Sequence, residues 1–231
     1  MSAAPSLAAA RDYVGTTRAS GELQLELLQR EGCTPTAHVL EVGCGCLNAG
    51  LPVMRYLHRG HYVGIEPNRW LLDAALAARS VRWLVRRKHP TLLERSDFDA
   101  GELGRTYDYV LSHSILSHCA HHQLEEFLRK VSRVLRPDGR IVASIRLAEG
   151  NAYGSTGTPD RKDSLCEEWQ YPDASWFGLD TVERTAAGHG LRVELKPEYT
   201  ERFTQRRPLE IHDWLVFSHA ANRMKDARPS R

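Results

Sequence analysis

An α/β fold is what this chain predicts: one doubly wound, mostly parallel sheet of seven strands with helices on both faces. Short β-branched apolar runs alternate with stretches whose apolar residues recur every three or four positions. Glycine and proline punctuation separates the two kinds of segment. A length of 231 residues with 42% hydrophobic and 26% charged content suits a single well-filled core.

The elements follow in order. "GELQLELLQRE" (21–31) reads as a short helix closed by Gly32. "HVLEV" (38–42) suits a buried parallel strand. "NAGLPVMRYLHRG" (48–60) reads as a helix whose Pro52 fits only the first turn. "YVGIE" (62–66) is a second strand. Residues 68–89 then read as one helix with Trp70, Leu71, Ala74, Ala75 and Ala78 on a common face. "TLLER" (91–95) is the third strand and "YDYVLSHS" (107–114) the fourth. Leu124, Phe127, Leu128, Val131 and Leu135 mark an amphipathic helix stopped by "RPDGR". The strand "RIVASIRL" (140–147) precedes a long polar and aromatic segment, 149–176. A helix near 179–188 and the strands "LRVEL" and "DWLVFSHA" complete the set. In such sheets ligands sit at the carboxyl ends of the strands, so the loops after "HVLEV", "YVGIE" and "YDYVLSHS" are expected to meet at one site.

A formal net charge of +2 gives no argument for a nucleic-acid or membrane partner. No apolar run approaches the roughly 20 residues of a membrane span, and no basic stretch precedes the alanine-rich N-terminus as in a signal peptide. Five cysteines is an odd number, in a chain large enough to need no staples. Reduced thiols in the cytoplasm are the expectation.

"EVGCGCLNAG" (41–50) is the informative loop. A mononucleotide-binding loop would end in Gly-Lys-Ser/Thr, and no lysine is present. A dinucleotide fingerprint has its first two glycines at Gly43 and Gly45 but Asn48 at the last position. A Cys-x-Cys metal site would need two further ligands at sensible spacing. Two acids distinguish the loop: Glu41 stands two residues before Gly43, and Glu66 ends the next strand. A carboxylate in the second place can accept both hydroxyls of a ribose. One before the first glycine suits a cationic ligand better than a pyrophosphate.

With "VLEVGCGC", "YVGIEPN", "ERSDFD" and "VLRPDGRIVAS" in this order, residues 37–147 resemble the class I S-adenosylmethionine-dependent methyltransferases, enzymes of class EC 2.1.1 with a Rossmann-like fold. Small-molecule and sugar O-methyltransferases are the nearest in type. The resemblance implies S-adenosylmethionine as cofactor and a single methyltransferase domain. Within it, residues 1–32 are an N-terminal helical cap and 37–147 the cofactor-binding core. Residues 148–178 are an acceptor-side lid, 179–220 the last helix and strands, and 221–231 a loose tail. It further implies that Glu41, Gly43, Cys44, Gly45 and Cys46 line the methionine end, and that Glu66 binds the ribose beside Pro67 and Asn68. Asp97 and Phe98 would meet the adenine, and Ser112 and His113 would close the pocket. Cys46 departs from the family, which commonly has a third glycine there. Tyr13 and Arg18 are expected in the cap.

Methyl transfer from a sulfonium is an in-line displacement, and a hydroxyl nucleophile needs a base. "SHSILSHCAHH" (112–122) offers His118 as that base, with His113 second; an unperturbed imidazole is largely neutral at physiological pH. The alternative role for His118 is to hydrogen-bond a carbonyl and order its turn. Trp169, Tyr171 and His212 are the expected acceptor-binding residues, with Arg206 and Arg207 nearby. Trp176 reads as an anchor of its loop. His113, His118, Cys119 and His122 match no common zinc spacing. Glu149, Asp163, Glu167 and Asp213 are available to magnesium, but no spacing selects a set, so no metal residue is assigned.

A small-molecule O-methyltransferase acting on a sugar or other natural product is thus the first reading, with a homodimer as a possible assembly. Methylation of a small amine is the second, with less need of His118. A cofactor-binding but non-catalytic partner subunit is a third. Nucleic-acid methylation lacks an "NPPY"-like tetrapeptide, and a nicotinamide enzyme is opposed by Glu41 and Asn48. A basic face around Arg82, Arg86, Arg87 and Lys88 would reopen the nucleic-acid reading.

Overall fold

The computed structural model describes residues 6–15, 18–155, 159–206 and 212–221. The chain divides into two compact units, Met1–Phe98 and Asp99–Arg231.

The first unit comprises α1 (Leu7–Val14), α2 (Arg18–Arg30), β1 (Val39–Val42), α3 (Gly50–Tyr56), β2 (Tyr62–Ile65), α4 (Arg69–Ala77), α5 (Arg79–Lys88) and β3 (Thr91–Leu93). Strands β1, β2 and β3 pair in parallel, with Glu41 opposite Gly64. All four residues of β1 are buried, Glu41 among its three aliphatic neighbours. Pro52 falls in the first turn of α3, where its missing N–H costs nothing. The helix expected over 68–89 is two, because Ala78 is extended (φ −75°, ψ 127°). Continuing the stripe from Leu71 through Ala75 and Ala78 would have turned Arg82 inward. The break re-phases the chain, so that Val81 and Leu84 are buried instead. Arg82 then donates from Nη1 to the freed carbonyls of Leu76 and Ala77, at 2.8 and 2.6 Å. Helix α1, capped by Ser6 and closed by Gly15 in the left-handed region, packs against α4 through Tyr13 edge-on to Trp70 at 5.1 Å.

The second unit comprises β4 (Tyr107–Ser112), α6 (His121–Val134), β5 (Leu135–Ile145), β6 (Leu147–Ala148), β7 (Ala152–Gly154), β8 (Arg161–Lys162), β9 (Ala174–Gly178), α7 (Leu179–Gly188), β10 (Leu191–Leu195), α8 (Pro197–Arg206) and β11 (Asp213–His219). Strand β4 runs parallel to β5, while β11 pairs antiparallel with both β5 and β10. The "RPDGR" stop passes straight into β5. Its register against β4 shifts between Tyr107 and Tyr109, an irregularity that tolerates Pro137. The segment read as polar and aromatic, 149–176, holds β7, β8 and the start of β9, which with β6 form a small second sheet ordered β6-β9-β7-β8. Strands of two to five residues are too short for periodicity to reveal. Helix α8 also went unread. It opens on Pro197, buries Tyr199 and Phe203 one turn apart, and has Thr200 Oγ1 accepting from Trp214 N at 3.1 Å.

The seven principal strands follow the order β10-β11-β5-β4-β1-β2-β3, mostly parallel, as the alternation of elements predicts. No described helix is long and apolar enough to cross a membrane.

Candidate active site

In the first unit the glycine loop leaves β1 and folds back onto the end of β2. Gly43 N and Cys44 N both donate to Ile65 O at 2.9 Å. Gly43 (φ 77°), Gly45 (φ 50°) and Leu47 (φ 64°) take left-handed backbone; glycine does so freely, leucine does not. Glu66 joins the loop to its own strand end. Its Oε2 accepts from Gly45 N at 2.9 Å, and its Oε1 from Asn68 N and Nδ2 at 2.8 and 3.0 Å. Burial raises the Glu66 carboxyl above its ordinary value, and these three donors pull it part of the way back. A carboxylate offers about four lone-pair positions, so acceptor capacity is left for further donors.

Glu41 is fully buried and accepts from the Tyr62 hydroxyl at 2.6 Å. Burial lifts it from 4.5 to about 8, opposed by that bond and reinforced by the negative charge of Glu66. With no cation beside it, Glu41 is thus held largely protonated at neutral pH; a ligand's positive charge there would favour the carboxylate. Cys44 and Cys46 are buried thiols pushed upward by desolvation, and all five cysteines are free. A Cβ at Gly64 would lie 2.8 Å from Cys44 Sγ, so that glycine is what lets the loop approach β2.

Helix α1 closes over the same loop. Arg11 Nε donates to Asn48 Oδ1 at 3.2 Å, and a Cβ at Gly45 would meet Val14 Cγ1 at 3.4 Å. The cap therefore works through Arg11 and Val14, with Tyr13 turned to Trp70; Arg18 opens α2. Pro67 is exposed. Asp97 is held by Arg95 through two bonds of 2.9 Å, and the adjoining Phe98 is buried with φ 58°. An Asp97 carboxylate already engaged by a guanidinium keeps fewer lone pairs for a ligand amino group.

In the second unit the histidines are brought together. His118 lies in the turn Leu116–His118, and its Nδ1 is 2.6 Å from Asp173 O. A carbonyl only accepts, so Nδ1 carries the proton and Nε2 the lone pair. Nε2 is 3.4 Å from Ser114 Oγ. Burial lowers the His118 pKa, partly countered by the bond to Asp173 and aided by the nearby Arg146. The ring is therefore neutral near pH 7. Trp169 (5.8 Å) and Tyr171 (5.1 Å) flank it, which brings two expected acceptor residues to the expected base.

Ser112 is fully buried at the end of β4, with no partner for its hydroxyl among the described residues. The His113 ring stacks on Trp214 at 5.3 Å and 6°, and contacts Phe203 and His212. His113 thus sits in an aromatic box. His212 Nε2 is 3.2 Å from Ser117 Oγ, and burial holds its pKa well down. Arg206 is exposed at the end of α8, and Arg207 lies outside the described residues. Trp176 carries the Arg146 guanidinium over its ring at 5.3 Å. Among the described residues no three His, Cys, Asp or Glu gather as a metal site, and Asp213 Oδ2 accepts from Leu147 N. On α5, Arg82 and Lys88 donate to backbone carbonyls and Arg87 lies over the Trp83 ring at 5.5 Å, while Arg82, Arg86 and Arg87 are exposed.

Sequence reasoning missed Tyr62, Arg11, Ser114 and Arg146. Only Arg146 left a signal, as a lone charge ending an apolar strand. Ser114 takes its importance from a left-handed backbone (φ 58°) held by Ser114 N donating to Ser144 Oγ at 2.8 Å.

A family profile described as a methyltransferase domain matches residues 40–141. Solved structures share the fold at low identity. Magnesium protoporphyrin IX methyltransferase from Synechocystis PCC 6803, solved with S-adenosylmethionine bound, superposes with TM-score 0.58 at 15% identity, covering 87% of this chain and 79% of that one. The CcbJ methyltransferase from Streptomyces caelestis gives 0.59 at 16%, covering 91% and 96%. The sugar N-methyltransferase KedS8 from Streptoalloteichus sp. ATCC 53650 gives 0.58 at 16%, covering 89% of each.

Proposed function

We propose, for a chain whose residues 40–141 match a methyltransferase-domain family profile, an S-adenosylmethionine-dependent O-methyltransferase acting on a hydroxyl of a small molecule, a sugar or other natural product, with His118 as general base. The observation that carries this reading is the tautomer of His118. Its proton is fixed on Nδ1 by the Asp173 carbonyl, its lone pair is on Nε2, and burial keeps the ring neutral.

The first unit fits the cofactor. Gly43 and Gly45 keep the loop low against β2, and α1 covers it. Glu66 presents carboxylate oxygens at a strand end, the place where ribose hydroxyls are bound in sheets of this type. Phe98, buried beside Asp97, supplies an apolar surface for a base. The bound cofactor supplies an electrophilic methyl group on a sulfonium. The protein's own residues do the rest: His118 Nε2 takes the hydroxyl proton, the Asp173 carbonyl holds the ring, and Trp169 and Tyr171 shelter it from water. Residues 148–178 are then the acceptor-side element, since Trp169, Tyr171 and Asp173 all belong to it.

Trp169 and Tyr171 also favour a second reading, methylation of a small amine, because aromatic faces attract ammonium groups. Calorimetric titration with S-adenosylmethionine and S-adenosylhomocysteine tests the cofactor. Screening hydroxyl and amine acceptors on wild type and His118→Ala then separates the two. Loss of about 100-fold or more in rate supports the base; an unchanged rate on an amine supports the second reading.

A further inference from the structure

Strand β2 opens on a phenol, while its other residues are small or aliphatic. Tyr62 is 2% exposed, and a phenolic hydroxyl so buried needs a partner. In the parallel pair Val39 stands opposite Tyr62 and Glu41 opposite Gly64, so Glu41, Tyr62 and Gly64 share one face of the first unit's strands. On that face Tyr62 donates to Glu41 Oε2 at 2.6 Å. A Cβ at Gly64 would lie 3.1 Å from the hydroxyl, and one at Gly50 only 2.5 Å from it. Two glycines, one in β2 and one opening α3, thus make room for a single oxygen.

Glu41 is held on one side only. Among the described residues Tyr62 is its one hydrogen-bond donor, to Oε2, and no cation pairs with it. The titratable groups around it are Tyr62, Cys44 and Cys46, all of which burial makes harder to ionise. Glu66 adds a second negative charge, while Arg11 of α1 acts on Cys46. A buried carboxyl in such company keeps its proton until a positive charge comes beside it.

We propose that Tyr62 is a positioning residue for the cofactor: it ties down Glu41 Oε2, so that Oε1 bears a proton that leaves when the ligand's ammonium group takes its place. The proposal deepens the S-adenosylmethionine reading and rests on it. In the exchange the O–H bond of neutral Glu41 breaks and the proton goes to solvent. The carboxylate left behind pairs with the ammonium of the amino-acid end, and no covalent bond to the ligand forms. Tyr62 donates to Oε2 throughout and stabilises the carboxylate that results. The rival source of a proton is Glu66, also raised by burial but already served by three donors.

The experiment is calorimetric titration of the full-length protein at pH 7 in phosphate and in Tris, whose ionisation enthalpies differ, so that the difference counts protons. The ligands are S-adenosylhomocysteine and 5′-methylthioadenosine, which keeps base, ribose and sulfur but has no amino-acid end. Release of most of one proton is expected with S-adenosylhomocysteine, none with 5′-methylthioadenosine, and none with either in Glu41→Gln. Wild-type affinity for S-adenosylhomocysteine should rise by about tenfold per pH unit between pH 6 and 7.5. In Tyr62→Phe affinity should fall most below pH 8, and the loss should shrink toward pH 9, because the carboxylate has lost its donor. Absence of proton release in the wild type overturns the proposal without any variant. Release that persists in Glu41→Gln, or that accompanies 5′-methylthioadenosine, assigns the proton to Glu66 and also overturns it. A loss in Tyr62→Phe that is equal at every pH makes the hydroxyl a filler of space and removes the role of Tyr62. Binding of S-adenosylhomocysteine without release sinks this inference alone, whereas failure of both ligands to bind sinks the cofactor reading and this inference with it.

Discussion

His113 and Trp214 come from strand ends on opposite sides of β5 and stack ring on ring at 5.3 Å, with only the small, buried Ser144 on the strand between them. Ser144 also accepts from Ser114 N, so one hydroxyl leaves room for the stack and fixes the turn that carries His118. Ser144→Ala is expected to cost about 1–3 kcal/mol, because it strands a buried N–H. Ser144→Leu should cost more and separate the rings. Urea unfolding with near-UV dichroism measures both; an unperturbed alanine variant would contradict the role.

Glu66→Ala removes the acceptor of three hydrogen bonds at the loop. Binding of S-adenosylhomocysteine should weaken at least tenfold, about 1.4 kcal/mol. Calorimetry reads it directly, and unchanged affinity would mean that the ribose is held elsewhere.

His118 titrates below its ordinary 6.5 because it is buried. The general base should therefore stay unprotonated, and activity persist, at pH values somewhat under 6.5, with the acid limb of kcat/KM lying below that point. In His118→Ala that limb should vanish along with roughly 100-fold or more of the rate. An acid limb at or above 6.5 in the wild type would speak against His118.

Glu41 holds its proton up to about pH 8 when folded but releases it near 4.5 when exposed. Between those values the unfolded chain binds fewer protons than the native one, so stability falls as pH rises, by on the order of a few kcal/mol. Glu41→Gln keeps an acceptor for Tyr62 and should flatten this slope while stabilising the protein at pH 8. Melting temperatures from pH 5 to 8 decide; parallel curves for the two proteins would refute it.

Glycine within a helix is ordinarily improved by alanine, by about 1 kcal/mol. At Gly21 the sign should reverse, because a Cβ there would run into the backbone carbonyl of Asn48. Gly21→Ala is expected to destabilise the protein and, by pushing α2 off the glycine loop, to weaken cofactor binding. A higher melting temperature would show that α2 has room to move.

Much of this protein was legible in its sequence, and the reason is periodicity and spacing. Every strand of the large sheet was written as a short apolar run, and α6 as a three-four repeat ending at Pro137 and Gly139. The glycine loop and Glu66 were legible because local backbone geometry needs those residue types. What sequence could not carry was anything decided by long-range register or by the loss of water. The break at Ala78 follows from which face must be buried, and β6–β9 are too short to pattern. Helix α8 exists because Tyr199 and Phe203 must be buried, Phe203 against Trp214. Burial made Glu41 a nearly neutral partner of Tyr62, and strand pairing across β5 brought His113 and Trp214 together. His118 was nameable from its motif, but its tautomer is set by a carbonyl 55 residues away. A sequence specifies the types of groups and their local order. Their protonation and mutual geometry belong to the folded chain, which alone fixes distance and dielectric.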